Sequence, residues 1–386
     1  MMKILFLTHR HGDLFIGGVA EVIQHLTNVF PALGVEIIIY TEGEENIDSP
    51  RDDLKNGTRC YSGPLIKPSL FISKKKLQPL LTLIQKEKID LIHAYGLYRA
   101  GFMAMHIKKK CGIPFIITSH SDILSASSKR IQRPTVIQRC KKILSNANAV
   151  THLTPIMADV SHSIYNTKEK SFTIPNGIDL AHWKTEKDPT EKNYLLGMGR
   201  LEPEKGFDVL IRAYALIKNK IQSALVIAGS GSHESTLKKM TTDLQLNKIE
   251  CSELPSTLEP KTVYFTGYVR GEQKKKLFLE SQLILFATQP AIFQEAFSIV
   301  FLETMAAKKA LVVSDTELAH YLQTQGLEAE LAIANHPESW AEKISLLLNN
   351  PTKRKLAGEK NYLLAQKLDW MPIAEQYKKV YEKFIY

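Results

Sequence analysis

Glu295-Ala-Phe-Ser-Ile-Val-Phe-Leu-Glu303 sets two glutamates in the pattern Glu-x7-Glu. An apolar run, Leu283-Ile-Leu-Phe-Ala287, precedes it, and an apolar helical pattern runs from Phe297 to Lys309. Strand, loop and helix in that order build an anion site, because a helix N-terminus presents unpaired N–H groups and a partial positive charge. Here that end is Phe297, Ser298 and Ile299. One carboxylate in the loop and a second inside the helix can then grip sugar and ribose hydroxyls around a bound diphosphate. A carboxylate is the acceptor-only group that suits paired hydroxyls. Alone, the pattern also fits a solvated, Glu-bearing helix face, so its neighbours decide the matter.

Upstream, Asn193-Tyr-Leu-Leu-Gly-Met-Gly-Arg200-Leu-Glu-Pro-Glu-Lys205-Gly206 reads as a strand entering a basic loop, with a helix Phe207–Lys218 after it. Arg200 is a fork and Lys205 a point charge for phosphate oxygens. Ala224-Leu-Val-Ile-Ala-Gly229-Ser-Gly231 follows as a buried strand ending in a glycine turn. Ligands of open α/β sheets bind beyond the carboxyl ends of strands. Further strands are expected at Lys3–Thr8, Val35–Tyr40, Leu91–Ala94, Phe115–Thr118, Ala149–Leu153, Tyr194–Met198, Val263–Thr266 and Ala310–Ser314. Helical patterns at Val19–Leu33, Lys75–Lys86, Ala100–Lys110, Val136–Ala147 and Met157–Tyr165 alternate with the strands of the first half. That alternation predicts an α/β chain with parallel sheets. A length of 386 residues predicts two domains.

The ordered set of motifs resembles the retaining glycosyltransferases of family 4, which have the GT-B fold. It comprises Gly17-Gly18-Val19, Asp90-Leu-Ile-His93-Ala-Tyr-Gly96, Thr118-Ser-His120-Ser121, Ile174-Pro-Asn-Gly177-Ile-Asp179, Gly199-Arg200-Leu201-x3-Lys205-Gly206, Ala228-Gly229-Ser230-Gly231, Phe265-Thr-Gly-Tyr-Val269 and Glu295 to Glu303. The resemblance covers nearly the whole chain. It implies two Rossmann-like doubly wound domains facing across a cleft. Residues 1–172 would form the acceptor domain, 173–368 the nucleotide-sugar domain, and 369–386 a terminal helix crossing back onto the first. It implies catalytic roles for His120, which reaches the donor sugar's hydroxyls, and Glu295, near that sugar. It implies that Glu303, Gly229, Gly231, Tyr268 and Val269 hold the nucleoside. Gly18 joins Arg200, Lys205 and Phe297 to Ile299 around the diphosphate, and Gly17, His93 and Tyr95 lie on the acceptor side. Retention of configuration is implied by the resemblance alone. The chain departs from the family at Ser298, at Lys308-Lys309 and at Ser314-Asp-Thr-Glu-Leu318, where glycines are usual, and at Ser230, where an acidic residue is frequent.

Up to Lys170 there are 23 Lys and Arg against 14 Asp and Glu, a net of +9; from Ser171 onward the count is 27 against 26, a net of +1. A basic first half suits an anionic partner: a glycan or lipid-linked phosphate acceptor, or an anionic membrane surface. The clusters are Lys74-Lys75-Lys76, Lys108-Lys109-Lys110, and Lys129-Arg130 through Arg139-Cys-Lys141-Lys142. They lack interleaved aromatics, so nucleic acid is not expected. Met2-Lys-Ile-Leu-Phe-Leu-Thr8 is too short an apolar run for a signal peptide or membrane span. A cytoplasmic protein, peripheral at the inner face of the membrane, is the expectation. Four scattered cysteines read as free thiols. No Asp-x-Asp motif and no His/Cys cluster at ligand spacing occurs, so a metal-independent enzyme with no cofactor beyond its nucleotide-sugar donor is expected. Neither Gly197-Met-Gly199 nor Gly229-Ser-Gly231 completes a dinucleotide fingerprint. A nucleotide-sugar epimerase and a catalytically silent nucleotide-sugar-binding protein remain as alternatives, because fold alone does not fix function.

Overall fold

The structure, a computed structural model, describes residues 1–8, 18–44, 46, 48–52, 54, 56–65, 74–119, 133–186, 189–292 and 297–385. Two compact units emerge: Met1–Gly177 with Trp370–Tyr386, and Ile178–Asp369. Unit 1 runs β1 (Met2–Thr8), α1 (Gly18–Val29), β2 (Val35–Glu42), β3 (Arg59–Gly63), α2 (Lys74–Glu87), β4 (Leu91–Tyr95), α3 (Arg99–Cys111), β5 (Phe115–Ser119), α4 (Pro134–Asn146), β6 (Ala149–His152), α5 (Pro155–Ile164) and β7 (Ser171–Thr173). Unit 2 runs α6 (Leu180–Trp183), β8 (Tyr194–Met198), α7 (Phe207–Ile217), β9 (Ala224–Ala228), α8 (Glu234–Asp243), β10 (Asn247–Glu250), β11 (Thr262–Gly267), α9 (Gly271–Glu280), β12 (Leu283–Phe286), α10 (Ile299–Ala306), β13 (Leu311–Ser314), α11 (Glu317–Thr324), β14 (Ala329–Ala332), α12 (Pro337–Leu348) and α13 (Pro351–Gln366). The last helix, α14 (Trp370–Ile385), belongs to unit 1.

Each unit holds a seven-stranded sheet, ordered β3-β2-β1-β4-β5-β6-β7 and β10-β11-β9-β8-β12-β13-β14. All pairings within them are parallel. The sequence explains the burial. Strands such as Leu195-Leu-Gly-Met198 and Ala224-Leu-Val-Ile-Ala228 are near-continuous apolar runs, which a sheet covered on both faces requires. In each sheet the winding reverses beside the first strand, between β1 and β4 and between β8 and β12. Those reversals are where an open sheet leaves a crevice at its carboxyl edge.

The ends of unit 2 are tied to each other. Ile178 N–H donates to the Leu368 carbonyl at 2.8 Å, Ile178 bridges Asp369, and Leu180 N–H donates to Asp369 Oδ2 at 3.3 Å. Beyond that tie, α14 buries Ile373, Tyr377, Val380 and Tyr381 in unit 1, a helical spacing of apolar faces. Trp370 stacks on His25 of α1, with centroids 5.3 Å apart and planes 12° from parallel.

His152 of β6 is fully buried, and its proton affinity falls to about 4, first through burial and then through the neighbouring His162. The native ring is therefore neutral where an unfolded one, near 6.5, takes up a proton. The stability this gives is complete above pH 6.5 and is lost as pH falls from there toward 4. Between pH 7 and 5 the loss from this group is expected to be about 2 kcal/mol. Urea unfolding at both pH values, in the wild type and in His152→Gln, checks it: the variant's pH dependence should be smaller. An unchanged dependence would mean that another group sets it.

Candidate functional site

At the carboxyl edge of unit 2, three loops are fastened together by backbone bonds. Gly199 N–H donates to the Ala228 carbonyl at 3.0 Å, Leu201 N–H to Ser230 at 2.9 Å, and His233 N–H to Leu201 at 2.9 Å. The Gly229 N–H donates to Gly267, at the end of β11, at 2.8 Å. On the other side, Gln289 N–H donates to the Glu204 carbonyl at 2.8 Å, which fixes the loop after β12 to the loop after β8. Side chains reinforce this. Glu202 accepts from both Ser232 N–H, at 3.0 Å, and Ser232 Oγ, at 2.5 Å, and these bonds hold its carboxyl below the usual range.

Close approach dictates the glycines. A Cβ on Gly229 would lie 1.8 Å from the Gly199 carbonyl oxygen, and one on Gly231 would lie 2.4 Å from that of Leu201. Gly206, at φ +66°, would place a Cβ 2.1 Å from the Ala287 oxygen. Only a residue without a side chain lets these turns nest.

Within this frame the basic groups stand at the crevice between β8 and β12. Arg200 is largely exposed, at 65%, and its Nη2 donates to Glu204 Oε1 at 3.2 Å. The Lys205 ammonium lies 5.7 Å from the Phe286 ring centroid. Phe286 packs edge-on against Phe301 of α10 at 4.5 Å. The start of α10 has Phe297 buried and Ser298 at its N-cap, in extended conformation, with no cap bond from the Ser298 hydroxyl. One turn further in, Glu303 is buried and forms an ion pair with Lys274 of α9. Beyond β11, Tyr268 is 60% exposed while Val269 is buried. Unit 2 thus carries two cations, a helix N-terminus, a buried carboxylate and an exposed aromatic ring at or just beyond the carboxyl ends of its strands.

Two family models divide the chain: "Glycosyltransferase Family 4" matches residues 16–182, and "Glycosyl transferases group 1" matches residues 181–363. The chain is a glycosyltransferase of GT-B type. It is 24% identical to a glycosyltransferase of Methanocaldococcus jannaschii described as uncharacterized, over 99% of this chain and 98% of that one. It is 22% identical to the D-inositol 3-phosphate glycosyltransferase of Pseudarthrobacter chlorophenolicus, over 92% of this chain and 87% of that one. In fold it is similar to the Anabaena protein HepE in complex with UDP, with a TM-score of 0.77, 17% identity, and coverage of 99% and 100%.

The structure of this glycosyltransferase gathers Arg200, Lys205, Gly229, Gly231, Phe297, Ser298, Ile299, Glu303, Tyr268 and Val269 in unit 2, at or just beyond the carboxyl edge of its sheet. Gly18 is the first residue of α1 in unit 1. Gly17, His120 and Glu295 lie outside the described residues, as do Lys129 and Arg130. His93 and Tyr95, expected on the acceptor side, are both buried. His93 is fully buried, with Tyr381 Oη 2.8 Å from Nδ1 and Thr118 Oγ1 2.6 Å from Nε2. Tyr95 stacks on His93 at 4.2 Å, and burial, then Tyr381 and Tyr377, push its phenol well above the ordinary range. Both rings are core packing beneath α14. The helix expected over Phe297 to Lys309 is Ile299–Ala306, and Lys308 then takes φ +55°. Lys274, Glu202 and Gln289 were not singled out from the sequence. Lys274 sits in Lys274-Lys-Lys276, which reads as an ordinary solvated run.

Two of the basic clusters are partly spoken for. Lys108 Nζ donates to the Asn146 carbonyl at 2.9 Å and to Asn148 Oδ1 at 2.8 Å, and Arg139 donates to Tyr98 Oη at 3.0 Å. Lys109, Lys110, Lys141 and Lys142 are exposed. Among the described residues, no helix is long and apolar enough to cross a membrane, and no group of His, Cys, Asp and Glu is placed to hold a metal ion.

Proposed function

We propose that this glycosyltransferase transfers a sugar from a nucleoside-diphosphate sugar to a glycan or lipid-linked acceptor with retention of configuration, in the synthesis of cell-envelope glycan or glycolipid. The observation that carries the donor half of this reading is the nested carboxyl edge of unit 2, with Arg200 and Lys205 beside the start of α10. Transfer breaks the anomeric carbon–oxygen bond. The electron pair leaves on the diphosphate, and an acceptor oxygen bonds to the sugar as it sheds its proton. Positive charge builds on the sugar and negative charge on the leaving group. In this reading Arg200, Lys205 and the α10 N-terminus stabilise the second. Glu295, by family resemblance, stabilises the first, in the manner of oxocarbenium chemistry, and retention rests on the same resemblance. With Arg200 and Lys205 proposed to neutralise the diphosphate, turnover is expected to persist in EDTA.

Incubation with a panel of labelled nucleotide sugars tests the reading. Slow release of nucleotide and free sugar, speeded by an acceptor extract, is the expected result. Isomerised sugar would replace transferase with epimerase, and binding without turnover would leave a silent binding protein. On the acceptor side, the exposed Lys109, Lys110, Lys141 and Lys142 belong to a half-molecule of net charge +9. Burial, then Lys109 and Lys142, lower the proton affinity of His106, which lies between the lysines of α3 and α4. Vesicles of acidic lipid are expected to bind at low salt and to release as salt rises, each surface charge counting for about 1 kcal/mol within a Debye length. No flotation with acidic lipid at low salt would point to a soluble acceptor.

A further inference from the structure

We propose that Lys274 is a positioning residue for the donor nucleotide, acting by holding the Glu303 carboxylate toward the ribose. The proposal rests on the reading above that Glu303 meets the ribose hydroxyls. Glu303 is the fifth residue of α10, and its side chain is only 5% exposed. Lys274 lies in the first turn of α9, which begins one residue, Arg270, after Tyr268 and Val269. The ion pair therefore joins the helix after the nucleoside loop to the helix that begins at the diphosphate. A lysine reaching a buried carboxylate from another element does two things. It keeps that carboxylate ionised in a place poor in water, and it fixes one rotamer where several are otherwise open. An ionised, oriented carboxylate accepts hydrogen bonds from two vicinal hydroxyls; a protonated or swung one does not. Lys274 need not touch the nucleotide to do this.

The interaction predicts an effect that depends on the ribose hydroxyls. Titration calorimetry would compare UDP, GDP and ADP, each with its 2′,3′-dideoxy analogue, on the wild type, Lys274→Met, Lys274→Arg, Glu303→Gln and the Lys274→Met/Glu303→Gln double variant. Lys274→Met is expected to weaken the ribose diphosphate that binds best by roughly tenfold or more, as loss of hydrogen bonds to a charged group does. It should leave the dideoxy analogue nearly unchanged. Lys274→Arg should restore most of the affinity, and in the Glu303→Gln background Lys274→Met should add little. Thermal midpoints on the same samples control for folding, and Lys274→Arg keeps the test open if the methionine variant does not fold. Equal weakening of both nucleotide forms would reduce Lys274 to a packing residue and overturn the proposal. Loss of ribose discrimination in Glu303→Gln but not in the Lys274 variants would sink the proposal and leave the ribose reading standing. Full discrimination in Glu303→Gln, or no binding of any of the three nucleotides to the wild type, would remove both.

Discussion

Arg200→Ala and Lys205→Ala should each slow sugar transfer by about 30- to 1,000-fold, with little change in folding. The estimate is the loss of about 2–4 kcal/mol that follows when one preorganised donor to a developing anion is removed. Leaving-group charge grows along the reaction, so the loss should fall on kcat more than on donor KM. Folding is expected to survive because Arg200 is 65% exposed and its contact with Glu204 is an exposed i,i+4 pair, a class that contributes little to stability. Lysine at position 200 should recover only part of the rate, since a point charge does not reproduce the fork. Steady-state kinetics with the donor found by the panel, beside a thermal melt, provide the check. Near wild-type turnover in both alanine variants would show that the diphosphate binds elsewhere.

The second large effect is structural. Gly206→Ala and Gly229→Ala should each destabilise unit 2 by about 3 kcal/mol or more, which for a domain of this size is a fall of roughly 6–12 °C in Tm. At Gly206 the left-handed backbone, φ +66°, and a Cβ 2.1 Å from the Ala287 oxygen act together. At Gly229 the Cβ would fall 1.8 Å from the Gly199 oxygen, so the loops after β8 and β9 must separate. The obstacle is backbone in both cases and cannot swing aside. Nucleotide affinity should fall along with Tm, because the same loops carry Arg200 and Lys205. A variant with unchanged melting would mean that the loops do not nest as described.

These glycines and cations were legible in the sequence because their signals are local: an apolar run, then Gly-Arg or Gly-x-Gly, then a helical pattern. Both β8 and β9 fall where their apolar runs predict them. What escaped was defined by pairing. β10, Asn247-Lys-Ile-Glu250, is polar and largely exposed, and it is a strand only because β11 lies beside it. β3, β7 and β14 are the other short or polar sheet margins, and none was expected. The burial of His93 and Tyr95 escaped for a related reason. His93 lies midway along the central strand β4 and Tyr95 at its end, and the helix that covers them arrives 288 residues later, with Tyr381. Lys274 escaped because a lysine among lysines shows nothing of the carboxylate it meets in space. Lys308 runs the other way. The resembled family usually has glycine there, and the structure gives that position φ +55°, the left-handed conformation that glycine accepts most readily.

The tie between Ile178 and Asp369 bears on how the protein is made. Unit 2 is closed on itself, its first and last residues side by side, so every contact it needs is available once Asp369 has been synthesised. Unit 1 is not. Its sheet emerges early, but α1 and the His93 seam lack Trp370, Tyr377 and Tyr381 until the whole of unit 2 has followed. Domains usually fold in the order in which they leave the ribosome. On that order, the part made first is expected to keep an uncovered apolar seam until α14 has been made.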